Sequence, residues 1–285
     1  MDSRPALYSP TGYGIHDGEA VVRTPHTVKT LQGAGVEPLI ALLEEIDGDT
    51  AASELRERVA DATPDHIDAL YAHDLVYDAR AISADMRAAD CGHMLESLLP
   101  AIPPESHHEV PARLQSLSVA VFGNRDTVSS VLSRLQAAGV TVTNGTTAEP
   151  DAVLLSEQLE RSESWDRANE QWIDTDATLV KSRLTATGWR FGPVLTPTAP
   201  ACVNCVYSRV DANKAGGRLY TETVTGEPPH WRAYVDSLTE LLFRVLLKQV
   251  PRYLDEQFVV YDHYEQTVET PRVFALPHCE VCDGI

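Results

Sequence analysis

Four of the five cysteines form two pairs with two residues between each member, Cys202-Val203-Asn204-Cys205 and Cys279-Glu280-Val281-Cys282. A two-residue gap lets both thiolates of a knuckle reach one metal ion at about 2.3 Å, and two knuckles supply the four ligands of a closed structural zinc site. The pairs stand 73 residues apart, longer than the spacing of a zinc ribbon. Such a site staples a C-terminal segment to a distant loop and contributes folding energy outright, roughly 10–16 kcal/mol apparent for structural zinc in peptides. Three other readings are weighed. Paired disulfides suit a secreted chain, a redox dithiol follows a strand into a helix in thioredoxin fashion, and catalytic zinc keeps an open fourth position. With four thiolates available and no secretory signal, the closed structural site leads and these three stay as alternatives. His278 is placed to substitute for one ligand, and Cys91 reads as a small buried residue on a helix.

The 285 residues suit two domains, and 43% hydrophobic against 23% charged residues allow a real core. The charge is lopsided, with 23 Lys+Arg against 42 Asp+Glu and a net of −19. Nucleic acid binds by releasing counterions to clustered Lys and Arg, and the chain has no such cluster, so no nucleic-acid partner is expected. Only Lys29, Lys181, Lys214 and Lys248 are lysines. The acid-rich, lysine-poor composition is read as adaptation to a halophilic cytoplasm, where a Debye length of about 3 Å at molar salt screens surface repulsion. Pro5, Pro10 and polar residues interrupt the first 18 positions, unlike a signal peptide. The apolar run Leu241–Leu247 contains Arg244 and falls short of a membrane span. A cytoplasmic location without membrane contact is expected.

Residues 14–31 alternate as a hairpin plus a third strand, around a turn at His16-Asp17-Gly18. Helical spacing follows in Val36, Leu39, Ile40, Leu42, Leu43 and Ile46, a short helix opens near Asp49, and a third starts at Pro64 after Thr63. With a closing strand at Leu75-Val76-Tyr77, residues 1–80 read as a winged helix-turn-helix. Residues 81–115 read as a helical and proline-rich linker. From 116 to 285 the expectation is a Rossmann-like α/β domain. It has strands at Leu117–Phe122, Val140–Val142, Ala152–Leu155 and Thr178–Lys181, a helix through Val128–Leu135, a long helix from Trp231 to Val250, and a hairpin from Phe258 to Leu276.

A nucleotide-binding βαβ unit carries Gly-x-Gly-x-x-Gly at its first turn, where glycines let the backbone approach phosphate at a helix N-terminus. Here the turn is Gly123-Asn124-Arg125-Asp126-Thr127-Val128, with only the first glycine. Asp126 repels phosphate while stabilising the helix dipole. The second strand ends at Thr143-Asn144-Gly145-Thr146, without a carboxylate for a ribose. The reading is a Rossmann-like fold whose nucleotide site has decayed, so ATP is not expected on this chain; the alternative is that Arg125 binds a phosphate directly.

Taken together, the winged-helix N-terminus, the βαβ sheet, the run Gly188-Trp189-Arg190-Phe191-Gly192-Pro193-Val194 leading to Cys202, and the terminal Pro277-His278-Cys279-x-x-Cys282 resemble one family. The chain resembles the ThiF-like, ubiquitin-activating-enzyme-like partner proteins of azoline-forming YcaO cyclodehydratases, which work on ribosomally made peptides. The resemblance implies a non-catalytic role. The N-terminal recognition element captures the leader of a precursor peptide as an added strand, the α/β domain presents the cargo to a YcaO enzyme that uses ATP, and that enzyme is a separate chain. Carried over by position, the groove lies between Val28, Lys29, Thr30 and Leu31 and the helix face of Ile67, Leu70 and Tyr71. A strand edge supplies main-chain hydrogen bonds and pockets read alternate side chains; against this, Ile67 and Leu70 can equally fill the small core. Through Arg80 there are 15 acidic and 6 basic residues, a match for a basic stretch of a leader. Homodimerisation is left open.

Two other functions compete. An adenylating enzyme acting on a carboxylate or a sulfur-carrier protein needs the missing glycine loop. A winged-helix transcription regulator would have to present Asp65, Asp68 and Asp74 on its third helix to phosphates, with the wrong sign.

Overall fold

The computed structural model describes residues 2–16, 19–33, 35–145, 149–156, 163–173, 175–199, 201–212, 227–250, 257, 259–272, 274–277 and 279–282. The Asp17-Gly18 part of the first turn, Thr146, Phe258 and His278 lie outside these. The chain divides into two compact units, Met1–Arg113 and Leu114–Ile285.

The first unit opens with β1 (Pro5–Leu7), β2 (Gly12–His16), β3 (Glu19–Arg23) and β4 (Val28–Leu31), followed by α1 (Val36–Glu45), α2 (Ala52–Arg58), α3 (Pro64–Ala72) and β5 (Val76–Asp78). Strands β2, β3 and β4 form an antiparallel sheet in that order. The closing strand β5 does not join it but pairs antiparallel with β1, Pro5 opposite Asp78 and Leu7 opposite Val76. Strand β1 escaped the sequence reading because three residues are too few to show alternation. In β3 every second residue is buried, Ala20 and Val22, while Val21 faces outward. The buried side chains meet Ile40, Leu42, Leu43, Leu55, Ile67 and Leu70 in one core. Helix α3 starts as its sequence directs: Thr63 caps it, with the His66 ring returning to the Thr63 backbone, and Pro64 occupies the first turn.

Residues 81–113 belong to the first unit. They hold α4 (Ala84–Ala88) and α5 (Gly92–Glu96), and α6 (Val110–Gln115) begins here. Helices α4 and α5 are separated at Asp90, which takes a left-handed φ of 55°. Cys91 is fully buried at the start of α5, its thiol donating to the Met86 carbonyl. His107, 2% exposed, ties the segment to β5: its Nδ1 accepts the Asp78 N–H at 3.3 Å, while Nε2 lies 3.1 and 3.0 Å from the Leu99 and Ile102 carbonyls.

The second unit is mixed α/β. Its elements are β6 (Ser118–Gly123), α7 (Ser129–Ala137), β7 (Thr141–Asn144), β8 (Ala152–Ser156), α8 (Glu163–Ile173), β9 (Thr178–Leu184), β10 (Gly188–Leu195), α9 (Val203–Ala212), α10 (Trp231–Leu246), β11 (Val259–Asp262) and β12 (Thr267–Glu269). They build a seven-stranded sheet in the order β12-β11-β10-β9-β8-β6-β7. Strands β7, β6, β8 and β9 run parallel, and β10 to β12 return antiparallel. Strand β8 is buried at every position, as expected of a parallel strand covered on both faces. Adjacent residues of β9 show the two coverings: Ser182 accepts from Tyr234 of α10, while the Lys181 ammonium sits 3.9 Å from the Trp165 ring centre of α8. Among the described residues no helix is long and apolar enough to cross a membrane.

A candidate metal centre and two neighbouring features

The α8 side of the sheet holds a core of Phe122, Leu155, Trp165, Trp172, Leu179 and Val206, and all four paired cysteines lie in it. Cys202 and Cys205 sit at the start of α9, whose first N–H, that of Val203, donates to the buried Asn169 side chain at 3.0 Å. Cys279 and Cys282 arrive on the last described turn. Their relative exposures are 0, 0, 3 and 6%. None is in a disulfide. The four sulfurs lie within 4.8 Å of one another, the only grouping of three or more His, Cys, Asp or Glu side chains of this kind among the described residues.

Cys202 Sγ is 3.9 Å from Cys205 Sγ and 3.7 Å from Cys279 Sγ, and Cys205 Sγ is 3.6 Å from Cys282 Sγ. Ligands at about 2.3 Å on the corners of a tetrahedron stand about 3.8 Å apart, so the sulfurs already occupy the corners that one metal ion requires. Donors from the protein address the sulfurs. The Leu276 N–H points at Cys205 Sγ at 3.4 Å, and the Asn204 side-chain amide at Cys279 Sγ at 3.5 Å. Burial pushes the Cys202 and Cys205 thiols up. Burial also opposes ionisation of Cys279, but the Asn204 amide and the N–H groups of Cys282 and Val281 outweigh it and bring that thiol down to about 6. Four thiolates crowded out of water need a cation, and a divalent metal ion supplies it; the donor set therefore fits one. The sequence located all four sulfurs but neither Asn169 nor Asn204, which carry no motif.

At the first βα turn the mouth of the sheet is closed by its own side chains. Gly123 takes φ 88°, the Asn124 N–H donates to the Ser156 carbonyl at 2.7 Å, and Asn124 Oδ1 accepts from the N–H groups of Asp126 and Thr127. The Arg125 guanidinium is hydrogen-bonded to the Asn144 side chain at the end of β7. The amides that would face a phosphate are thus occupied by Asn124.

In the first unit, β4 is an edge: among the described residues only β3 pairs with it. Val28 is 58% exposed and Thr30 also faces solvent, while Lys29 and Leu31 are half-buried. Leu31 packs on the core that holds Ile67 and Leu70, 5 and 0% exposed. Those two are core residues. Tyr71 packs against the same core and also lines a cavity of about 660 Å³ with Ser3, Asp68, Asp78, Arg80 and His108, and burial pushes its phenol up to about 12.

No protein-family model and no curated protein matches the chain. Solved structures do. A heterocyclase in complex with substrate and cofactor superposes with a TM-score of 0.70 at 13% identity, over 98% of this chain and 39% of that one. The heterocyclase TruD gives 0.66 at 12% identity, over 99% and 43%. E. coli MccB, solved with MccA, gives 0.61 at 11% identity, over 99% of both chains. The chain therefore spans about two fifths of the length of the two heterocyclases. At these identities the likeness is one of fold, and it extends over both units.

Proposed function

We propose that the chain is a leader-binding scaffold that brings a ribosomally made precursor peptide to a YcaO-type cyclodehydratase. The observation that carries this reading is the fold match over 98–99% of the chain to heterocyclases, one of them holding a substrate. On this reading the first unit is a winged-helix recognition element and the leader adds as a strand to the open β4 edge, over Val28 and Thr30 and beside Leu31. Ile67 and Leu70 support the edge from within, and Tyr71, packed against the same core, flanks them. The second unit is a ThiF-like domain closed by a structural zinc ion on Cys202, Cys205, Cys279 and Cys282. Its role is to hold and position, since no step of the chemistry is assigned to this chain. The test is binding of a labelled leader peptide, encoded beside this chain, to the full protein. Micromolar binding lost on deletion of residues 1–80 supports the reading, and binding that survives the deletion ends it.

A second reading is adenylation, favoured by the match to E. coli MccB solved with AMPCPP and MccA, over 99% of this chain. Against it stand the Asn124 cap on the βα turn and the tethered Arg125. Pyrophosphate exchange by this chain alone would establish the second reading; calorimetry with ATP and magnesium showing no heat supports the first.

A further inference from the structure

Two sulfur contacts join one knuckle to the other, Cys202 to Cys279 at 3.7 Å and Cys205 to Cys282 at 3.6 Å, each shorter than the 3.9 Å between Cys202 and Cys205 within the first knuckle. The N–H···S bonds run the same way. Asn204, from the first knuckle, reaches Cys279, and Leu276, from the C-terminal segment, reaches Cys205. The polypeptide itself thus holds the two knuckles face to face. We propose that the tetrad is also an oxidative modification site, at which hydrogen peroxide forms two crossed disulfides, Cys202–Cys279 and Cys205–Cys282, that keep the C-terminal segment stapled once the metal has left. The starting state is the metal-bound tetrad proposed above.

The chemistry balances pair by pair. One thiolate attacks peroxide, the O–O bond breaks, and the departing hydroxide takes a proton to become water, leaving a sulfenic acid. The crossed thiolate attacks that sulfur, the S–O bond breaks, and a second hydroxide leaves as water. Each pair gives two electrons to one peroxide, so two peroxides consume four thiolates and release one metal ion. Cys279 and Cys282 retain 3 and 6% exposure against 0% for Cys202 and Cys205, so attack starts on the C-terminal knuckle. An S–S bond of about 2.05 Å requires each crossed pair to close by roughly 1.6 Å. Partners 77 positions apart close a long loop of the unfolded chain, whereas a bond within a Cys-x-x-Cys closes a short one and frees the C-terminal segment.

The experiment titrates the purified full chain, its zinc first quantified, with hydrogen peroxide, and follows released zinc, intact mass, non-reducing peptide maps and the thermal midpoint. The expected result is one zinc released per two peroxides, a loss of about 4 Da, crossed linkages in the maps, and a midpoint within about 5 °C of the loaded protein. That midpoint lies above the one of chain stripped by chelator under reducing conditions. Linkages Cys202–Cys205 and Cys279–Cys282, sulfinic or sulfonic acids, or a midpoint no higher than the stripped chain overturn the proposal. A chain that purifies without metal yet forms the crossed pair removes the zinc assignment and upholds the disulfides.

Discussion

At the scale of single residues, burial decides what each cysteine and histidine can do. Cys202→Ser removes one corner of the tetrad and leaves three thiolates to share a cation. The expected outcome is loss of stoichiometric metal in elemental analysis and a fall in thermal midpoint of at least 10 °C, given the apparent stabilisation of roughly 10–16 kcal/mol by such sites in peptides. His107 carries a separate prediction. Burial holds its imidazole below the ordinary histidine value, against the pull of the carbonyls it faces. The folded form thus keeps it neutral while the unfolded chain protonates near pH 6.5. Its contribution is complete above that pH and fades as pH falls through the folded value. Denaturant midpoints at pH 7 and 5.5 should differ more for the wild type than for His107→Leu, which is weaker at pH 7 because the Asp78 N–H loses its acceptor. An unchanged difference would place the acid sensitivity elsewhere.

Among elements, the β4 edge separates a contact surface from its support. Val28→Glu alters an exposed position and should weaken leader binding by about tenfold, roughly 1.4 kcal/mol, with no shift of the thermal midpoint. Leu70→Ala opens a cavity in the core beneath the sheet and should cost about 2–5 kcal/mol of stability, read in urea. Equal effects of the two on binding alone would contradict the division. Much of this architecture was legible in the sequence: β2 to β4, α1, α3, α7 and α10 follow alternating or helical spacing, and β6 and β8 show as short continuous apolar runs. Helix α8 was missed although Trp165, Ala168 and Trp172 mark one face, because polar residues and a Gly-poor, acidic approach look like loop. Strand β10 was visible only as a motif. Its Gly188 has a physical role, since a Cβ there would lie 1.8 Å from the Tyr261 carbonyl of β11.

On the scale of the whole molecule, the net charge of −19 yields a test of the high-salt reading. Raising KCl from 0.1 to 2 M should raise the thermal midpoint, as screening contracts from about 10 Å to under about 3 Å; a flat response would remove the high-salt reading. The metal centre imposes an order of events on the chain. Between Cys205 and Cys279 lie 73 residues, and at about 5–20 residues per second a ribosome takes about 4–15 s to make that stretch. Throughout that interval the first knuckle exists as an uncommitted dithiol beside a partly assembled sheet. Vectorial synthesis therefore makes closure of the cysteine tetrad wait for the second knuckle to emerge, and, on the proposal that zinc fills the tetrad, metal can join the two knuckles only from that moment.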